Sequence, residues 1–534
     1  MINLHGVRFT YDGSVRPALD QVDLDVGEGE LLLVVGPTGA GKSTLLGLLN
    51  GQVPHFSGGR LEGVVEVAGH RTDQCRPRDL ASVVGVVGQN PASTFVTEFV
   101  EEELVYAMEN LGVAPVAMRR RVEDTLDLLS LHELRDRRLD TLSGGQAQRV
   151  AIGAVLAASP SILVLDEPTS ALDPAAAEEV LASLSRLVHD LGLTVVVSEH
   201  RLERVLPFAD VVALVREGRV VASDAAEAMR TSPVVPPVVE LGRLASWSPL
   251  PLTVREGRRR AAPLRAALAS ASPPSVPGTT GAVLATATAV QVDFDEQRAL
   301  DVASCALRRG EVVGLMGRNG AGKSTLLGLF AGVRSPDRGL VELDGRNPMT
   351  LRPTQLVARV GLVPQEPGLL LYGTSVEGEC TAADAEGGLA PGSTASWLER
   401  FHPGLDPRAH PRDLSEGQRL CLALAIVLGA APPLVLLDEP TRGLDYPSKA
   451  RLAEILSGLA EEGHGVVVAS HDVEFIAQVA HRVVVLAEGQ VVADGPAREV
   501  VCHSPVFAPQ VAKVLAPQHW LTVTEVRTAL AVAG

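Results

Sequence analysis

The sequence predicts an α/β fold used twice in one chain, each copy with a mainly parallel sheet as its core. Two observations carry this. Gly36-Pro37-Thr38-Gly39-Ala40-Gly41-Lys42-Ser43-Thr44 recurs as Gly317-Arg318-Asn319-Gly320-Ala321-Gly322-Lys323-Ser324-Thr325. Each copy follows an apolar, β-branched run (residues 31–35 and 312–316) and precedes a Leu-rich helical stretch, so strand, loop and helix alternate around the motif.

Both segments fit the phosphate-loop pattern G-x-x-x-x-G-K-[ST]. Gly36, Gly39 and Gly41, with Gly317, Gly320 and Gly322 in the second copy, let the backbone curl until successive N–H groups point inward. The following helix adds its N-terminal dipole, which makes a nest for phosphate oxygens. Lys42 and Lys323 are expected to reach the β- and γ-phosphates of a nucleotide. Ser43 and Ser324 are expected to hold Mg²⁺, with Thr44 and Thr325 closing each motif. A lone glycine-rich turn would carry little weight, but two copies with the same motifs downstream do.

Those motifs run in one order. After the first loop come Gln89, Leu142-Ser143-Gly144-Gly145-Gln146, an apolar run ending in Asp166-Glu167-Pro168, Ser170-Ala171-Leu172-Asp173 and His200. After the second come Gln365, Leu414-Ser415-Glu416-Gly417-Gln418, Asp438-Glu439-Pro440, Arg442-Gly443-Leu444-Asp445 and His471. The chain resembles the ATP-binding cassette (ABC) ATPases over nearly its whole length outside one linker and a short tail. The resemblance implies ATP and Mg²⁺ as cofactors and two α/β nucleotide-binding domains, each with an inserted helical subdomain.

Asp166 and Asp438 end apolar strands, where a carboxylate can meet a metal-bound nucleotide. Glu167 and Glu439 follow at once and are placed to polarise an attacking water, since phosphoryl transfer needs a positioned nucleophile and charge neutralisation more than covalent help. The resemblance makes His200 and His471 switch histidines at the γ-phosphate. It makes Gln89 and Gln365 the residues that complete the Mg²⁺ shell of Ser43 with Asp166 and Ser324 with Asp438. It places Ser143, Gly145 and Gln146, and Ser415, Gly417 and Gln418, against the nucleotide of the opposite cassette in a head-to-tail pair. Tyr11, and Phe294 once Ala18-Leu19 is aligned with Ala299-Leu300, are candidates to stack on the base. The weaker alternative for each is a strand-packing residue.

The two signatures differ. Glu416 stands where the first copy has Gly144, and a carboxylate about 6 Å from a phosphate charge at an effective dielectric of about 20 is repelled by roughly 3 kcal/mol. The expectation is a working but weaker first site if Glu416 points inward. Otherwise it merely caps a helix.

Composition fits a cytosolic enzyme. The chain has 534 residues, enough for several full-sized cores, and a formal net charge of −17, which argues against a surface made for nucleic acid. Five scattered cysteines without a C-x-x-C pair suggest neither a disulfide framework nor a metal cluster. Residues 1–5 show no basic start or apolar core of a targeting peptide. Residues 420–437 are apolar for about the length of a membrane span. They carry Pro432-Pro433 and end at Asp438-Glu439, so they read as a buried helix, a turn and a strand.

The motif order sets the domains: a first ABC ATPase domain at 1–230, a Pro-, Ala- and Arg-rich linker at 231–283, a second ABC ATPase domain at 284–510 and a C-terminal tail at 511–534. Within the linker, 238–244 is expected to pack on the first cassette. Its cluster of Arg255, Arg258, Arg259, Arg260 and Arg265 reads either as a solvated helix or as a face for anionic lipid.

The segment between glutamine and signature narrows the family. Gln89-Asn90-Pro91, Phe95-Val96, Val100-Glu101-Glu102-Glu103-Leu104 and Glu109-Asn110-Leu111-Gly112 resemble the ATPases of energy-coupling factor (ECF) importers, although Thr94 replaces a family glutamine. That resemblance implies import of a water-soluble vitamin, such as thiamine or its precursor, or of a transition metal. It also implies a transmembrane coupling protein, a small substrate-binding membrane protein, and a peripheral position on the cytoplasmic face of the cell membrane. The ATPase of another ABC transporter type and a ribosome-associated tandem ABC protein are the alternatives.

Overall fold

The computed structural model describes residues 1–170, 172–274, 281–294 and 297–533. Ala171 of the Ser170 to Asp173 motif and residues 275–280 of the expected linker lie outside the described residues. The chain forms two compact units, Met1–Thr253 and Val254–Gly534.

In the first unit, six strands lie in the order Arg219–Ser223, Val211–Arg216, Leu31–Val35, Thr194–Ser198, Ile162–Asp166, Val84–Val87. All neighbours pair in parallel except the antiparallel outer strand Arg219–Ser223. Strands buried on both faces read as unbroken apolar runs, and Leu31–Val35 and the first four residues of Ile162–Asp166 are fully covered. A second, antiparallel sheet holds Leu19–Val26, Ile2–Thr10, Arg60–Val67 and His70–Arg71. Phe9 and Val65 from this sheet and Leu45, Leu48 and Leu49 from the helix Lys42–Leu49 close one core with Leu32 and Val34.

The second unit repeats the order with Gln490–Pro496, Arg482–Ala487, Val312–Met316, Gly465–Ala469, Leu434–Asp438 and Val360–Val363. In both units the strand that feeds the phosphate loop is therefore central. Its neighbour leads to the histidine, and the next strand leads to the Asp-Glu pair. Residues 420–437 form the end of the helix Glu416–Leu428 and most of the strand Leu434–Asp438, and among the described residues no helix is long and apolar enough to cross a membrane.

The helical subdomains contain Val100–Asn110 and Pro115–Leu128 in the first unit and Val376–Gly387 and Ser393–Phe401 in the second. The acids of Val100 to Glu103 invite a reading as a solvated helix start favoured by the dipole. Glu103 is instead 5% exposed, and its Oε2 accepts from Val96 N (3.0 Å), Thr97 N (2.9 Å) and Thr97 Oγ1 (2.9 Å). It thereby pins the strand of chain that leaves Gln89. Glu379 does the same for Gly373 N in the second unit.

The stretch expected as linker is divided between the units. Pro237–Leu244 buries Val238, Val239 and Leu241 in the first, and Arg243 donates to the carbonyls of Met229 and Ser232. The helices Val254–Arg260 and Ala262–Ala267 belong to the second, where they join the C-terminal tail. Arg265 donates to Val514 O (2.6 Å) and Gln518 to Arg265 O (2.9 Å), and Trp520 of the tail is fully buried. Arg255, Arg258 and Arg259 stay exposed.

Candidate nucleotide sites

Each phosphate loop is shaped by contacts that only glycine allows. Gly41 has φ +110°, and a Cβ there would lie 2.6 Å from Ala18 O. Gly322 has φ +99°, and its Cβ would lie 2.6 Å from Ala299 O. The match of Ala18 with Ala299 thus holds in space as well as in sequence. Lys42 Nζ donates to Gly36 O (2.8 Å) and Pro37 O (3.2 Å), and Lys323 Nζ to Gly317 O (2.9 Å) and Arg318 O (3.2 Å). Both ammonium groups are buried over the loop that a triphosphate would thread.

The carboxylates gather at the strand ends beside these loops. In the first unit Glu167 accepts from Gln89 Nε2 (3.0 Å) and lies 3.0 Å from His200 Nε2. In the second, Glu439 lies 2.7 Å from His471 Nδ1 and 3.7 Å from Lys323 Nζ, and it accepts from Ser470 Oγ at 3.3 Å. Both glutamates take left-handed backbone, φ +50° and +48°, at a cost of about 1–2 kcal/mol each. Hydrogen bonds from Glu167 N to Ser198 O (3.0 Å) and from Glu439 N to Ala469 O (2.8 Å) hold that turn. The reversal turns the glutamate aside from the strand axis, so that consecutive acids can serve different tasks.

Burial pushes the Asp166 and Asp438 carboxyls above the usual range. Asp166 accepts from Ser198 and Asp438 from Ser324, because position 469 is alanine and offers no hydroxyl. Asp438 Oδ1 is buried with no hydrogen-bond partner among the described residues. An unused carboxylate lone pair beside an exposed serine hydroxyl fits a hard, oxygen-seeking cation such as Mg²⁺. Gln365 is exposed, and among the described residues no bond links it to Glu439. Gln89 and Gln365 are therefore placed differently.

The signature serines and glutamines make reciprocal helix caps. Ser143 Oγ accepts from Gln146 N (3.3 Å) while Gln146 Oε1 accepts from Ser143 N (2.9 Å), and Ser415 with Gln418 repeats both distances. Gly145 lets the backbone approach Ala176, where a Cβ would lie 2.7 Å from the Ala176 methyl; Gly417 sits in a looser contact with Ser448. Glu416 turns to Arg419, 3.1 Å away and on its own helix. The cap of that helix is Ser415, so Glu416 is its first helical residue and pairs along the helix, and the first unit, with Gly144 and Ala147, has no such pair to make.

Of the aromatic candidates, Tyr11 donates to or accepts from Thr44 Oγ1 at 2.9 Å and meets Phe9 edge-on. Phe294 is half exposed and lies beneath the Arg334 guanidinium.

Sequence reasoning missed several residues. Glu199 is 1% exposed and accepts from Thr169 N, Thr169 Oγ1, His200 N and Arg201 N, tying the turn after Glu167 to the histidine. Ser470 occupies that place in the second unit, bonding Thr441 and Glu439. A carboxylate between a strand and a histidine, at a place where the other copy has serine, was the available signal.

The family model described as ABC transporter matches residues 19–170 and 300–442. The chain belongs to the ABC transporter ATPase family. A protein of Streptomyces avermitilis, named as a proposed ABC transporter ATP-binding protein, is 57% identical over 99% of this chain and 100% of its own length. One from Methanosarcina mazei with the same description is 33% identical, covering 94% of this chain and 90% of itself. An archaeal ribosome recycling factor, solved with a ribosomal stalk protein, superposes with TM-score 0.59 at 21% identity over 92% of this chain and 90% of its own, a likeness of fold alone. The protein is thus an ABC-type ATPase that binds ATP and serves a transporter, with membrane-spanning partners implied by that role.

Proposed function

We propose that the chain is the ATP-hydrolysing subunit that energises an ECF-type importer for a water-soluble vitamin, such as thiamine or its precursor, or a transition metal, working with Mg²⁺ at the cytoplasmic face of the membrane. The observation that carries this reading is the segment from Gln89 to Gly112. There the residues that resemble the ECF ATPases build one unit, with Gln89 on Glu167 and Glu103 fixing residues 96 and 97 at the helical subdomain. Beside it lies a groove of about 560 Å³ lined by Thr97, Phe99, Glu102, Tyr106 and Asp136. A groove of about 540 Å³ lies between Leu371 and Arg412 in the second unit, lined also by Tyr372, His410 and Arg419. Both are the proposed seats for the transmembrane coupling protein, and their differing charge suits two different docking segments.

Within each site Lys42 or Lys323 would exchange its loop carbonyls for phosphate oxygens. Asp166 with Ser43, and Asp438 with Ser324, would hold Mg²⁺, which neutralises charge on the phosphates when bound. Glu167 and Glu439 would orient the attacking water, while His200 and His471 fix the glutamate oxygens that face it. Replacing either glutamate by glutamine should slow MgATP hydrolysis at that site by about 10²–10⁴-fold. Co-purification with the proposed membrane partners, followed by identification of the bound small molecule, tests the importer type. Full activity in the double Gln variant at unchanged nucleotide affinity would remove both glutamates from the chemistry, and a bound sugar or peptide would remove the ECF assignment.

A further inference from the structure

The two aromatic candidates for the base are braced in different ways. Tyr11 is tied to the phosphate-loop helix through Thr44 Oγ1 (2.9 Å), and Phe9 meets its ring at 88° with centroids 4.8 Å apart. Phe294 has no hydroxyl and cannot copy that anchor. Its ring instead carries the Arg334 guanidinium, whose Cζ lies 4.0 Å from the centroid. Arg334 is itself fixed: it donates to Asp293 O at 2.7 Å and lies 3.7 Å from Asp337 Oδ2, and Asp337 also accepts from Asp293 N at 2.8 Å. The strand end and the turn after the loop helix thus clamp the arginine over the ring.

A cation over one face of an aromatic ring is attracted by the ring quadrupole and draws π density toward itself. One face of Phe294 is then taken, and because the residue is still 49% exposed, a flat partner would stack on the opposite face. We infer that Arg334 is a positioning residue of the second nucleotide site, holding Phe294 as the platform on which a purine base stacks in an arginine–phenylalanine–base sandwich. This rests on the reading of Phe294 as a base-stacking residue. It makes the second site depend on a side chain that, among the described residues, has no counterpart over the Tyr11 ring.

The test uses the full chain carrying Lys42→Ala, so that binding reports the second site, with MgATP and the base-free probe magnesium tripolyphosphate. Arg334→Ala should weaken MgATP by about 3-fold, as expected for an exposed cation–π pair, and leave tripolyphosphate unchanged. Phe294→Ala should weaken MgATP by about tenfold or more. In the double variant the arginine change should add nothing, and Arg334→Lys should recover part of the loss. Equal weakening of both probes by Arg334→Ala would show a phosphate contact and overturn the sandwich. Loss from Phe294→Ala with none from Arg334→Ala would overturn the role of the arginine alone. Unchanged MgATP binding in Phe294→Ala would make the ring a strand-packing residue and overturn the platform reading itself.

Discussion

Removing the Glu103 carboxylate should loosen the chain that joins the Gln89 loop to the helical subdomain. One oxygen, Oε2, accepts two backbone N–H groups and the Thr97 hydroxyl, all at 2.9–3.0 Å, in a side chain that is 5% exposed. Three donors share this one oxygen, so each bond contributes about 1 kcal/mol net, below the usual range for a charged acceptor, and Glu103→Ala should cost about 3 kcal/mol of local stability. At 1.4 kcal/mol per tenfold, that is about 10² in the opening equilibrium. Hydrogen exchange reads it directly: the amides of Val96 and Thr97 should exchange about 10²-fold faster in the variant, while amides in the strand Leu31–Val35 keep their rates. Glu103→Gln keeps an acceptor but loses its charge, and charge-assisted bonds are roughly twice as strong as neutral ones, so it should fall near tenfold. Unchanged exchange at Val96 and Thr97 in the Ala variant would refute the pinning role. Because Thr97 and Phe99 line the proposed docking groove, stimulation of ATPase activity by membrane partners should fall in the same variant.

Glu416→Gly should be nearly silent for stability, within about 1 kcal/mol, since the partly exposed pair with Arg419 is worth little; equilibrium unfolding checks this, and calorimetric titration should show ATP affinity unchanged. Burial pushes the His481 imidazole below its usual pKa, and its Nδ1 accepts from Val312 N at 3.1 Å. A histidine kept neutral in the fold contributes fully above its unfolded pKa of about 6.5, and that contribution is lost as pH falls below it. Urea unfolding at pH 7 and pH 5 should therefore show a smaller stability loss in His481→Gln than in the parent chain. Gly41→Ala should abolish tight nucleotide binding at the first site. The φ of +110° costs a side chain about 1–2 kcal/mol before the new methyl meets Ala18 O, and fluorescent-nucleotide titration of the Lys323→Ala background would read the loss.

Much of each site was legible because its residues act through local sequence. A phosphate loop, its lysine and the serine after it are contiguous, and the Asp-Glu pair ends its own strand. The capping pairs Ser143 with Gln146 and Ser415 with Gln418 span one helical turn. The parallel strands read as apolar runs because both of their faces are buried. What stayed hidden depends on residues far apart in the chain. Glu103 looked like an exposed helix start, because nothing in the spacing shows that residues 96 and 97 fold back onto its carboxylate. Glu199 joins Thr169 to His200 across neighbouring strands. The carboxylate of Glu416 found Arg419 on its own helix, and only a rotamer decides between that pair and a nucleotide. The division of the linker near Thr253 is likewise tertiary, since proline-rich sequence marks a break in pattern but not the surface on which each half packs. The sequence determines which groups are present and in what order; the crossing of strands, the direction of a side chain and the clamp of Arg334 over Phe294 are decided by packing, where contacts distant in sequence outweigh local preference.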